Sequence, residues 1–173
     1  IIKDSSKLLP LRINASDRLL VIHPAVIDDV GEHKIRLYEY VKNKHDSTDF
    51  ISMDIKPTEE QKTSIFNAVD NYSHVIFALY YHAYKSDDSS MLKQIEILEG
   101  ILEKNPNTIV ILLKEPFYPL GVPKKASTVL ATYGKKPALL QAAVDIIFGA
   151  IKSEGSVPIN IGLESSVLLR NNL

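Results

Sequence analysis

The chain has 173 residues, 45% of them hydrophobic and 24% charged, which is enough apolar side chain for one domain-sized core. Twenty basic against twenty-one acidic residues leave a net charge of −1, without the basic surplus that a non-specific nucleic-acid binder needs. There is no cysteine, which excludes disulfide scaffolds, thiolate-bound zinc, iron–sulfur clusters and thiol catalysis.

The longest stretch free of Asp, Glu, Lys and Arg is fourteen residues, 71–84, too short to span a bilayer as a helix. The chain opens Ile1-Ile2-Lys3-Asp4, with neither an initiator Met nor a signal-peptide pattern, and reads as a piece of a longer protein. Residues 1–17 form a lead-in, 18–161 the body of a single domain, and 162–173 a tail with no strong pattern. The lack of cysteine fits a cytoplasmic, secreted or cell-envelope setting equally.

In chain order, Leu19-Leu20-Val21-Ile22 is a short continuous apolar run with strand character. Residues 32–44 carry Leu37, Tyr38 and Val41 on one helical side. Residues 50–55 alternate, with Ile51, Met53 and Ile55 on one face and Ser52 and Asp54 on the other, the pattern of an edge strand. Thr58 and Gln61 form a capping-box pair behind Pro57, and Ile65, Val69 and Tyr72 give the following helix its apolar face. Residues 74–79 and 108–113 are continuous apolar runs, as in parallel strands buried on both sides. Between them, Ser90 is placed to cap a helix with Met91, Ile95, Leu98 and Leu102 inward. Residues 127–132 and 157–161 are weaker strand candidates. Pro137 suits the first turn of a last helix, with Leu140, Ala143, Val144 and Ile147 inward and Gly149 as its stop.

This alternation predicts an α/β fold: a three-layer α/β/α sandwich around a mostly parallel open sheet of about five or six strands, flavodoxin-like in order. Ligands of such sheets sit beyond the carboxyl ends of the strands. The residues there are His23-Pro24, Tyr80-Tyr81-His82 and Lys114-Glu115-Pro116. No Gly-x-Gly-x-x-Gly follows the first strand, no Gly-x-x-x-x-Gly-Lys loop is present, and no Gly-x-Ser-x-Gly elbow occurs. The five histidines show no zinc-ligand spacing. His74 reads as a plain strand-end residue.

Tyr81, His82 and Tyr84 either line a sugar site, ring faces against C–H faces, or pack on one another as a loop. Glu115 is a lone carboxylate, and glycoside hydrolysis needs a pair. Lys114, Lys93 or Lys104 would simply neutralise it. Asp87-Asp88 reads as a solvated lead into a helix, and Lys124-Lys125 and Lys135-Lys136 as surface.

An ordered set of segments resembles a known family. It comprises Leu8-Leu9-Pro10-Leu11, Pro116-Phe117-Tyr118, Ala131-Thr132-Tyr133-Gly134, the Ala-rich stretch from Pro137 to Phe148-Gly149, and Gly155-Ser156-Val157-Pro158-Ile159. Together they resemble the C-terminal α/β sandwich domain of glycoside hydrolase family 3 over residues 3–161.

In the β-glucosidases of that family the domain supplies an acid/base glutamate from an acidic, Gly-containing loop. The corresponding residues 80–90 here hold neither Glu nor Gly. The resemblance is therefore to the β-N-acetylglucosaminidase (β-hexosaminidase) branch, which implies that the nucleophile Asp and the acid/base His lie on an N-terminal (β/α)8 barrel. This chain would then hold no catalytic residue, no cofactor and no metal. Its partner would be that barrel of the same polypeptide, and carbohydrate would reach it through the barrel. His23, Tyr81, His82 and Glu115 are the candidate wall residues, and a bacterial source is expected. Two alternatives stand beside this reading: a stand-alone flavodoxin-like binding module, and the β-glucosidase branch with Asp87 or Asp88 in place of the missing glutamate.

Overall fold

The computed structural model describes residues 1–25, 35–80, 88–113 and 122–155, with only the backbone of residue 88. The sequence expectations at Tyr81, His82, Tyr84, Asp87, Glu115, the 116–118 turn and residues 157–161 lie outside the described residues.

Six strands form one sheet: β1 (Lys3–Asp4), β2 (Leu19–Pro24), β3 (Thr48–Met53), β4 (His74–Leu79), β5 (Thr108–Leu112) and β6 (Thr128–Ala131). Their spatial order is β1-β6-β5-β4-β2-β3. All neighbouring pairs are parallel except β1 with β6. Four helices connect or flank them: α1 (Leu37–Lys42), α2 (Glu59–Val69), α3 (Asp88–Lys104) and α4 (Pro137–Ile147). Among the described residues no helix is long and apolar enough to cross a membrane.

The continuous apolar runs behave as two-sided strands. Leu20, Ile22, Val75, Phe77, Val110 and Leu112 pack with α2 and α3. Leu19, Val21, Ile76, Ala78, Ile109 and Ile111 pack with α1 and α4. Each run is thus divided by the strand period of two. The alternating segment is β3, and it is the edge strand beside β2.

Local signals hold where they are strongest. At α2, Thr58 Oγ1 accepts the Gln61 amide at 3.2 Å and Gln61 Oε1 accepts the Thr58 amide at 3.1 Å, closing the capping box. At α4, Pro137 opens the helix and Leu140, Ala143, Val144 and Ile147 are buried. Gly149 ends it at φ +75°. Its amide donates to the Ile146 carbonyl at 3.1 Å, and the Ala150 amide to the Asp145 carbonyl at 2.8 Å, the paired bonds of a Schellman motif.

Three expectations are corrected. The first helix spans only Leu37–Lys42; Ile35 and Arg36 precede it in non-helical backbone, so a helix over 32–44 does not form. Six residues make a marginal helix in isolation, and α1 rests on its buried Leu37 and Val41. α3 begins at Asp88, and Ser90 is buried within its first turn rather than capping it. Finally, the lead-in joins the sheet. Lys3 and Asp4 pair antiparallel with Val129 and Thr128. The Asp4 carboxylate accepts the Leu8 and Leu9 amides at 2.9 and 3.2 Å and the Thr128 hydroxyl at 2.8 Å.

The lead-in also reaches α4. The Leu11 amide donates to the Ile147 carbonyl at 2.7 Å, and a Cβ on Gly149 would sit 2.7 Å from Pro10 Cβ. Gly149→Ala therefore meets both a left-handed backbone and a packed proline. The expected loss is about 1–2 kcal/mol, read as a lowered denaturant midpoint; an unchanged midpoint would show that the turn does not constrain this end of α4.

Candidate functional site

With strand order β3-β2-β4-β5-β6 in the parallel part of the sheet, the chain reverses direction across the sheet between β2 and β4. That switch point, at the carboxyl ends, is where open α/β sheets take ligands. The ladder continues just past the strands on both sides: the Ala25 amide bonds the Met53 carbonyl at 2.7 Å and the Leu113 amide the Leu79 carbonyl at 3.0 Å.

His23 stands on this edge. It is 4% exposed, on the α1 side of the sheet, because it follows Leu19 and Val21 at the strand period. Its ring lies 4.4 Å from that of Phe50, which in turn stacks on Tyr38 at 5.3 Å. Nδ1 is 3.0 Å from the Pro24 carbonyl. A carbonyl only accepts, so Nδ1 carries the proton and Nε2 keeps the lone pair. Burial pushes the imidazole down to about 4, against a smaller upward pull from the Pro24 carbonyl. At neutral pH His23 is an uncharged acceptor held among aromatic rings, able to accept a hydrogen bond from a hydroxyl but not to pair with an anion.

Of the predicted wall residues the structure describes His23; Tyr81, His82 and Glu115 lie outside the described residues. Tyr80, next to them in sequence, is 2% exposed, with Lys135 Nζ 5.5 Å from its ring centroid, so one lysine expected on the surface packs on an aromatic face. Of the lysines proposed to neutralise Glu115, Lys114 lies outside the described residues and the other two are engaged elsewhere. Lys93 reaches Glu59 at 3.7 Å and the Pro57 carbonyl at 3.4 Å, and Lys104 reaches Asp70 at 2.6 Å. Lys125 pairs with Glu103 at 2.9 Å on the surface. His74 is half-buried at the opposite, amino end of β4 and bonded to Ser73 Oγ at 3.1 Å, as its strand-end reading implies.

Two features of the edge carry no functional expectation from the sequence. Gln94 of α3 is fully buried and bonds the backbone at Tyr80 and Ile55. Tyr133, just past β6, is half-exposed at φ +56°, a left-handed conformation that an aromatic residue seldom adopts. Thr132 holds that turn: its hydroxyl lies 2.6 Å from the Gly134 carbonyl and 3.2 Å from that of Leu112. Beside it a cleft of about 280 Å³ is lined by Leu130, Tyr133, Leu139, Ala142 and Ile146, among others. Its walls are mostly apolar, and it lies across β4 and β5 from His23.

No family model and no curated protein matches this sequence. Solved structures do. A fungal multi-domain family 3 β-N-acetylglucosaminidase, described with a GCN5-related glucosamine N-acetyltransferase region, matches at TM-score 0.75 and 18% identity over 92% of this chain. A family 3 β-N-acetylglucosaminidase from a Paenibacillus species matches at 0.70 and 23% over 87%. A β-glucosidase from Listeria innocua, solved with isofagomine, matches at 0.62 and 14% over 86%. The chain spans 17%, 28% and 23% of those three chains.

Acid should weaken the fold through His23. The unfolded imidazole titrates near 6.5 and the folded one at about 4, so between those values only the unfolded chain gains a proton. Stability is complete above about pH 6.5 and falls by about 3 kcal/mol on going down through pH 4. His74, also lowered by burial, adds in the same direction. His23→Gln should flatten the stability–pH slope in that window; an unaltered slope would show that His23 is not the buried neutral group. What these relatives share with the chain is its fold: a mostly parallel six-stranded α/β sandwich of the kind found as a minor part of family 3 glycoside hydrolase structures.

Proposed function

We propose that this chain is the C-terminal, non-catalytic domain of a family 3 glycoside hydrolase of the β-N-acetylhexosaminidase branch. In that enzyme an N-terminal (β/α)8 barrel of the same polypeptide carries the reacting Asp and His and cleaves terminal N-acetylglucosamine. The observation that carries the reading is the coincidence of two independent signals. The fold match extends over 92% and 87% of the chain in two family 3 β-N-acetylglucosaminidases. The ordered motifs, from Leu8-Leu9-Pro10-Leu11 through Ala131-Thr132-Tyr133-Gly134 to Phe148-Gly149, run through the same span.

The branch is supported by composition at one loop. Residues 80–90 contain no glutamate, so the general acid that the β-glucosidase branch draws from this domain would have to be a shorter carboxylic acid, Asp87 or Asp88. The higher TM-scores to the two β-N-acetylglucosaminidases than to the β-glucosidase point the same way. The role of the domain is to buttress the barrel, with His23, Tyr81, His82 and Glu115 as the carboxyl-edge residues nearest to carbohydrate. Support for a docking role comes from Tyr133 and Leu139, which are 50% and 38% exposed and line the apolar cleft.

The test is hydrolysis of chromogenic N-acetyl-β-glucosaminide and β-glucoside by the 173-residue chain and by the product of its whole reading frame. The chain alone should turn over neither, and the whole product should prefer the N-acetylglucosaminide by at least about tenfold, a difference of roughly 1.4 kcal/mol in transition-state binding. Turnover by the chain alone that a substitution within it abolishes, or a preference for the glucoside, would overturn the reading.

A further inference from the structure

The switch-point crevice is bridged by one side chain. Gln94 Oε1 accepts the Tyr80 amide at 3.1 Å, and its Nε2 donates to the Tyr80 carbonyl at 3.0 Å and to the Ile55 carbonyl at 2.7 Å. Both donors are used, and the carboxamide orientation is fixed: reversed, it would set NH₂ against an N–H and an oxygen against two carbonyls. Toward Tyr80 the carboxamide acts as a peptide group would, serving amide and carbonyl of one residue as a paired strand residue does.

The bridge also draws two strand exits together. Ile55 follows β3 and Tyr80 follows β4, with β2 between those strands. Next-but-one strands in a sheet are about 9.5 Å apart. Here the Ile55 and Tyr80 carbonyl oxygens bond one nitrogen, so their separation cannot exceed the sum of those two bond lengths. The chain leaving β3 and the chain leaving β4 therefore converge over the carboxyl end of β2. That is the place where open sheets of this order admit a flavin or a nucleotide.

We infer that Gln94 is a positioning residue that closes the switch-point crevice from within, fixing the point from which the chain leaves β4 and occupying the hydrogen-bonding groups that a bound nucleotide or flavin would use. The inference stands apart from the family reading, and it counts against the stand-alone flavodoxin-like module.

Gln94→Met keeps the length of the side chain but can neither accept nor donate as an amide does. With the bridge removed, backbone amide exchange at Tyr80, measured at fixed pH, should quicken by at least about tenfold relative to the Thr132 amide at the distant β6 exit. A ratio unchanged from the parent would overturn the inference.

Gln94→Glu covers the case in which the Met variant does not fold. The carboxylate accepts the Tyr80 amide but donates to neither carbonyl, and burial raises its pKa. Once protonated it donates one bond. Its deficit in unfolding midpoint relative to the parent should therefore shrink on going from about pH 8 to about pH 5. Burial alone would also produce that shrinkage, so the deciding readout in this variant is again exchange at the Tyr80 amide relative to Thr132: a ratio quickened from the parent at about pH 8 supports the bridge, and a ratio unchanged from the parent would overturn the inference.

Discussion

The constraint on which the molecule depends is the two-sided burial of β2, β4 and β5. Leu19 to Ile22, Val75 to Ala78 and Ile109 to Ile111 are all inaccessible to solvent. No water reaches their peptide groups, so every amide and carbonyl must be paired within the ladder. Parallel pairing requires a crossover between successive strands; α1, α2 and α3 lie on the crossovers from β2 to β3, β3 to β4 and β4 to β5, and α4 follows β6. The helices then supply the apolar side chains that exclude water: Ile65, Val69, Leu98 and Ile101 on one face, and Leu37, Val41, Leu140 and Val144 on the other.

The same constraint sets a problem at the strand exits. A chain leaving a buried strand takes its peptide groups away from the ladder before it reaches solvent. Each exit here has its own solution. After β2, the Ala25 amide borrows the Met53 carbonyl, and the His23 ring bonds the carbonyl of Pro24, the strand's last residue. Following β4, Gln94 serves Tyr80 in both directions. Beyond β6, Thr132 closes the turn that forces Tyr133 into a left-handed conformation. A protonated His23 would keep its bond to the Pro24 carbonyl but would place a charge where burial disfavours it, which is why its acid sensitivity and its position share one cause.

What was legible in the sequence was local or periodic. Thr58 and Gln61 announce a helix start within four residues, and Pro137 with Gly149 brackets α4. The apolar runs of β4 and β5 reveal both strands and their two-sided burial. Non-local pairing was not legible. Lys3 and Asp4 look like a polar lead-in, and only Val129 and Thr128, more than a hundred residues on, make them a strand. Periodicity put Ile95 on the inner face of α3, whereas Ile95 is half-buried and Gln94 wholly so. A buried glutamine reads as surface unless its backbone partners, Ile55 and Tyr80, are already known to converge. The position of His23 at a strand end was evident, but its uncharged state depends on Phe50 and Tyr38, brought to it by sheet register and helix packing.

The two helical faces are unequal in a way that orients the domain. Across α2 and α3, Lys62 bonds both Glu59 and Glu96, and Lys104 and Lys125 pair with Asp70 and Glu103. Such exposed pairs contribute little to stability individually, but they keep that face solvated. In α4 the sole charged residue is Asp145, tied at 2.8 Å to Lys44, and the ground ahead of it is Tyr133 and Leu139. Covering an apolar cleft with polypeptide gains what covering hydrated ion pairs does not. A domain that buttresses a larger body would therefore present α4 and the β6 exit to it and leave α2 and α3 to solvent.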